Sequence, residues 1–154
     1  YTPAAGLLNG LKLATQMLLD EGLEAVFARH ARLGAATRAA AAGWGMDVCA
    51  MRPELYSASV TAIVVPAHVD SSALVAHAAE SYGMAFGTGL GAVQGKVFRI
   101  GHLGMMTDSM LLSGIATAEM AMVDLGVAIA PGSGVAAAQR TLCRGAPAHR
   151  VAAE

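Results

Sequence analysis

Between Gly83 and Gly104 the chain reads GMAFGTGLGAVQGKVFRIGHLG, and its one arginine, Arg99, sits among Val97, Phe98, Ile100 and Gly101. An arginine keeps its proton at any working pH, so inside an apolar strand it needs a fixed anion. The loop ahead of it carries Gly87, Gly89, Gly91 and Gly95. Such glycines let backbone approach a small ligand closely. The combination points to a carboxylate-binding site for a small acid. Strand alternation puts Lys96, Phe98 and Ile100 on one face and Val97, Arg99 and Gly101 on the other, so Lys96 and Arg99 do not work side by side. Two readings of Arg99 remain open. It forms an ion pair with a carboxylate of its own protein, or it grips a substrate carboxylate with its planar, two-pronged donor set.

Tyr1-Thr2-Pro3 is the second candidate. Thr2 and Pro3 read as a helix opening, with the hydroxyl capping free N–H groups and proline at the first helical position. A helix N-terminus also favours an anion, and a phosphate bound there would accept from the Thr2 hydroxyl. Either an ordinary cap or an anion ligand fits these residues. His30, His68, His77, His102 and His149 show no metal-ligand spacing, although His102 follows Arg99 closely enough to support the same site. Asp108, Glu119 and Asp124 are expected on a solvated helix face. The nine methionines, Met105, Met106, Met110, Met120 and Met122 among them, read as core and interface filler. No grouping of serine, histidine and aspartate suggests a hydrolase.

The elements that must position these residues follow from periodicity and punctuation. Apolar residues at Leu7, Leu11, Ala14 and Leu18 predict a helix to about Leu19. A second helix is expected from Leu23 to Ala42, stopped by Gly43. Met46 to Met51 alternates like a short strand, and Val60 to Val65 is a β-branched run closed by Pro66. Asp70 caps a helix that Gly83 ends. Met84–Phe86 and Val97–Ile100 supply two more short strands, and Thr107 opens a helix over Asp108–Leu125. Pro131-Gly132-Ser133 starts the last helix, and the chain after Gly145 reads as a loose tail. Helices first, then short strands mixed with helices, predict an α+β fold. Its small, mostly antiparallel sheet of three to four strands is covered by helices on one face.

A chain of 154 residues can bury a real core. Hydrophobic residues make up 55% and charged ones 14%, with a mean hydropathy of +0.52. Such a chain hides a large face against a partner or missing domain, or spans a membrane. The uncharged stretches Leu55–Val69 and Ser81–Gly95 are broken by proline or glycine, which argues against a span. A net charge of −1 without a basic stripe argues against nucleic acid. Cys49 and Cys143 share no metal spacing and read as reduced thiols. A start on Tyr1 without a methionine looks like a cut inside a longer polypeptide.

The opening YTPAAGLLNGLKLATQMLLDEGLEAVFARH, the central TAIVVP and GLGAVQGKVFRIGHLG followed by a helix resemble the C-terminal part of class V, fold-type I aminotransferases. The resemblance runs collinearly over about Tyr1 to Gln139 and is closest to the serine–, alanine– and aspartate–glyoxylate branch. It implies pyridoxal 5'-phosphate as cofactor and amino transfer from serine, alanine or aspartate to glyoxylate. Arg99 matches the arginine that binds the substrate α-carboxylate. Thr2 matches the threonine that binds the cofactor phosphate in the neighbouring subunit, with Tyr1 beside it. A homodimer and an N-terminal large domain are thereby implied, with residues 1–20 as a helix from the large-domain boundary. Residues 21–129 would form the small domain, and 130–154 the C-terminal helix and tail.

In such enzymes the Schiff-base lysine, the aspartate at the pyridine nitrogen and the stacking aromatic lie upstream of this segment. Lys12 and Lys96 do not match the lysine motif, so no catalytic residue is expected here and the segment alone should be inactive. The lack of a peroxisomal address and the alanine-rich composition fit a bacterial cytoplasm. Two alternatives stand beside this reading. Another class V enzyme, a desulfurase or lyase, is poorly served by Cys49 in a predicted strand or Cys143 in the last helix. A non-catalytic module could bind small acids through Arg99 or serve dimerisation.

Overall fold

The computed structural model describes residues 2–144. Five helices and three strands follow one another as α1 (Ala5–Glu21), α2 (Leu23–Gly43), β1 (Val60–Val64), α3 (Ser71–Tyr82), β2 (Gly87–Thr88), β3 (Val97–Gly101), α4 (Asp108–Asp124) and α5 (Ser133–Arg144). The strands form one antiparallel sheet in the order β1-β3-β2. The architecture is α+β, as the element pattern implies. Alternation decides which side is core. Thr61, Ile63, Phe98 and Ile100 are buried on the helix-covered face, while Val60, Ala62, Val64 and Arg99 on the other face stay partly exposed.

Phe98 is the centre of the core. It is fully buried, with the Phe86 ring edge-on at 5.9 Å and the Trp44 ring tilted at 6.3 Å. Leu33 of α2, Leu74 of α3, Leu111, Ile115 and Met122 of α4, and Leu142 of α5 close around it. The helix boundaries are set by residues with a physical reason to be there. The Asp70 side chain accepts from Ser72 N and starts α3. Gly83 then ends that helix in the left-handed region at φ 66°. The Thr107 hydroxyl accepts from Met110 N and starts α4.

Four sequence expectations shift. α1 begins at Ala5 with Ala4 at the cap position and no side-chain cap bond, so Thr2 and Pro3 lie ahead of the helix. Met46–Met51 makes one bridge, Val48 to Ile63, instead of a strand. Pro53 opens a 3₁₀ turn just beyond and carries the chain away. Met84–Phe86 is not a strand either, because Met84 N bonds back to Ala78 O in the close of α3. Pairing with β3 therefore starts at Gly87. Glu119, finally, is not on a solvated face. It is 5% exposed, and its carboxylate accepts from the Trp44 indole (2.7 Å) and from the backbone N–H of Gly132, Gly134 and Val135. It thus caps α5 from α4, where the helix dipole favours a negative charge. The expected tail after Gly145 lies outside the described residues.

α3 and α4 are also clamped at the surface. His77 Nε2 donates to Asp124 Oδ2 at 2.8 Å, and the Tyr82 hydroxyl donates to the same oxygen. The bonds from His77 and then from Tyr82 hold the Asp124 carboxyl below the usual aspartate range. A carboxyl lowered in the folded state stabilises at pH above its unfolded value, and the contribution fades as pH falls through the folded value. Asp124→Asn should therefore flatten the acid limb of stability against pH. Urea midpoints measured through the acid range check this, and an unchanged slope would show the clamp to be inert.

Candidate functional site

Arg99 stands in the middle of β3, and the register places it in a row across the sheet with Ala62 of β1 and Gly87 of β2. A methyl group on one side and no side chain on the other leave room around the guanidinium. The clearance at Gly87 is used. A Cβ there would come within 3.0 Å of Arg99 Nε and 3.3 Å of Nη2, so the arginine lies across the glycine. Nε donates to Thr88 O at 3.0 Å. That bond fixes the plane of the guanidinium and leaves Nη1 and Nη2 without a hydrogen-bond partner among the described residues. Nor does any carboxylate of the described residues lie within 4.0 Å of Arg99. The internal ion pair left open above is therefore not made by these residues.

Gly89 of the preceding loop serves the loop itself. At Gly89 a Cβ would sit 2.1 Å from Val93 O, because the 3₁₀ turn Gly91–Val93 folds back against it. Close approach to backbone is the use of Gly89, but the partner is this protein's own carbonyl. Lys96 is exposed and donates to Ala92 O within the same loop, so alternation separates it from Arg99 as expected.

His102 does not join Arg99. It is fully buried under the helix-covered side, with Nδ1 at 3.1 Å from Ala58 O and Nε2 at 3.0 Å from Thr61 Oγ1. A carbonyl can only accept, so Nδ1 carries the hydrogen and Nε2 accepts from the threonine. Burial pushes its pKa below the ordinary value, which keeps the ring neutral. His30 and Arg29 hold the chain just after it. Gly104 N donates to His30 Nε2 at 3.0 Å, and Arg29 donates to Gly104 O. Both backbone groups of Gly104 are thus tied to α2, and the segment leaving the Arg99 strand is anchored.

Thr2 is exposed and precedes an uncapped helix N-terminus. The Tyr1 assignment lies outside the described residues. Downstream of Thr2, α1 buries none of its residues, and Leu7 and Leu11 are 77% and 64% exposed. An apolar helix standing this open leaves an exposed hydrophobic surface along α1. Among the described residues no helix is long and apolar enough to cross a membrane.

No protein-family model matches the chain. It is 63% identical over 139 residues to the L-aspartate–glyoxylate aminotransferase of Paracoccus denitrificans, covering 90% of this chain and 35% of that protein. It is 52% identical over 142 residues to the serine–glyoxylate aminotransferase of Methylorubrum extorquens, covering 92% and 35% respectively. The chain thus spans about a third of the length of the curated relatives it matches. Among solved structures, pyridoxamine–pyruvate aminotransferase from Mesorhizobium loti superposes with a TM-score of 0.89 at 35% identity, over 95% of this chain and 38% of that one. By sequence and by fold, the chain is similar to the C-terminal part of these aminotransferases.

Proposed function

We propose that this segment is the substrate-orienting small domain of a pyridoxal phosphate-dependent aminotransferase moving an amino group from serine, alanine or aspartate to glyoxylate. The observation that carries the reading is Arg99, an arginine on the open face of the sheet with its two terminal nitrogens unengaged by the described residues. Amino acids and oxo acids of this class share one group, the carboxylate beside the reacting carbon. A guanidinium held by Thr88 O presents parallel N–H donors to it in one fixed plane. Val60, Ala62 and Val64 beside it give the carboxylate an apolar floor, where an ion pair meets less competition from water. Both substrates of the exchange would use the same grip in turn.

The residues at the other end fit one edge of a cofactor site. An exposed Thr2 hydroxyl that caps nothing, ahead of an uncapped helix N-terminus, suits a phosphate contact. When bound, pyridoxal phosphate supplies the electron-withdrawing ring that lets the α-proton of an amino acid leave. Neither Lys12 nor Lys96 is assigned the covalent role, which falls to a domain outside this segment. Thr2 would serve the neighbouring subunit of a homodimer. The open leucines of α1 would face that subunit and the large domain. The test is to produce the complete protein containing this segment and look for visible absorbance of bound cofactor and for glycine formed from glyoxylate. Bound cofactor with serine, alanine or aspartate as donor is the expected outcome. Failure of all three donors overturns the proposal.

A further inference from the structure

A second arginine faces a cavity that Arg99 does not line. Between α2, the single bridge at Val48, the turn at Leu55 and the edge of β1 lies a space of about 290 Å³. Its walls at Val48, Leu55, Val60 and Ala62 are apolar, and no acidic side chain of the described residues lines it. Arg38 enters from α2 with its guanidinium carbon 4.7 Å from the centre of the Tyr56 ring. Among the described residues no carboxylate lies within 4.0 Å of Arg38. Burial holds its pKa below the ordinary arginine value, so the charge is partly stripped of water, and among the described residues a ring face compensates it.

A cation half out of water on an aromatic face retains in-plane donors, which the ring cannot satisfy. The cavity supplies a second donor. Ser57 Oγ accepts from Ser59 N and lies 3.0 Å from Ser59 Oγ; with the Ser59 hydroxyl as donor in that pair, the Ser57 hydrogen turns to a ligand. Thr61, in contrast, spends its hydrogen on the buried His102. Charge, donors and walls together describe one kind of ligand. We propose that this cavity is a binding site for a small organic carboxylate with a flat or branched apolar body. The acid group would lie against Arg38 and Ser57, and the body against Val48, Leu55 and Val60. The volume sits at the small end of ligand pockets and suits a metabolite-sized acid. This proposal rests on Arg38 and Ser57 and not on the role given to Arg99, although the cavity shares Val60 and Ala62 with the sheet face beside Arg99.

Cys49 lines the same cavity and is exposed, while Cys143 on α5 is exposed elsewhere. The two thiols give a local readout and an internal control. In the complete protein, iodoacetamide labelling of each cysteine is followed by peptide mass spectrometry with benzoate, with benzamide or with neither. At about ten times its dissociation constant, benzoate should slow labelling of Cys49 by about tenfold and leave Cys143 unchanged. Benzamide, equal in shape and uncharged, should protect little. Arg38→Met should abolish the protection and Arg38→Lys should restore part of it. Equal protection by both compounds, or protection that survives in Arg38→Met, overturns the proposal. So does a Cys49 that fails to label without ligand, because the cavity is then filled in the complete protein. The comparison of the two compounds needs no variant, so a variant that fails to fold leaves the test intact.

Discussion

Glu119→Ala is expected to destabilise the domain by about 3–5 kcal/mol, the cost of removing one partner from a buried charged network. Four donors converge on this carboxylate: the Trp44 indole and the backbone N–H groups of Gly132, Gly134 and Val135. Alanine leaves the indole N–H buried without an acceptor and removes the negative charge from the start of α5. Domains are stable by only about 5–15 kcal/mol, so this loss is a large share. Glu119→Gln keeps an acceptor oxygen but turns an N–H₂ toward other donors, and should lie between the two. Urea unfolding of the complete protein, followed by Trp44 fluorescence, reads the change as a lower midpoint. Gly134→Ala approaches the same contact from the other side, because a Cβ there would stand 2.2 Å from Trp44 Nε1. If both variants keep the wild-type midpoint, the buried cap does not hold α5 in place.

Arg99→Leu should lower kcat/KM for glyoxylate by about 10²–10⁴-fold, largely through KM. Two charge-assisted hydrogen bonds at about 1.5–3 kcal/mol each set that range. Arg99→Lys should recover only part, since an ammonium cannot reproduce the planar fork. Gly87→Ala leaves the charge in place and tests its orientation. The added Cβ would crowd Nε and Nη2, and a guanidinium moved by about an ångström should cost roughly 10- to 100-fold. Steady-state kinetics with circular dichroism as the folding control separates the cases. A KM for glyoxylate that Arg99→Leu leaves unchanged would remove Arg99 from the substrate site. If Gly87→Ala alone is silent, the arginine is oriented by something other than β2.

Much of this was legible before any coordinates. Asp70 and Gly83 bracket α3 because a short acceptor and a residue without a Cβ do local work that any fold requires. The β-branched run Val60–Val64 and its parity partner Val97–Gly101 announce a sheet with one apolar face. The KVFRIG alternation already separated Lys96 from Arg99. Glu119 was not legible. One carboxylate amid alanines and methionines reads as the wet side of a helix, and its four donors come from Trp44 and from residues 132–135, which meet it only on folding. Gly87 was similar: the sequence marked it as a place of close approach but could not say that Arg99 was what approached.

Sequence by itself determined both ends of α3, the start of α4, the two-faced strands, the place of a guanidinium in an apolar strand and the family resemblance, because these rest on spacing and on bonds between near neighbours. Tertiary structure alone decided which residues stand across from Arg99, and that small neighbours in its row let it lie flat under the Thr88 carbonyl. It also decided that His102 turns away into the core and that Arg38 faces a cavity that Arg99 does not line. Those outcomes depend on register and helix packing, which join residues tens of positions apart and leave no periodic trace in the chain.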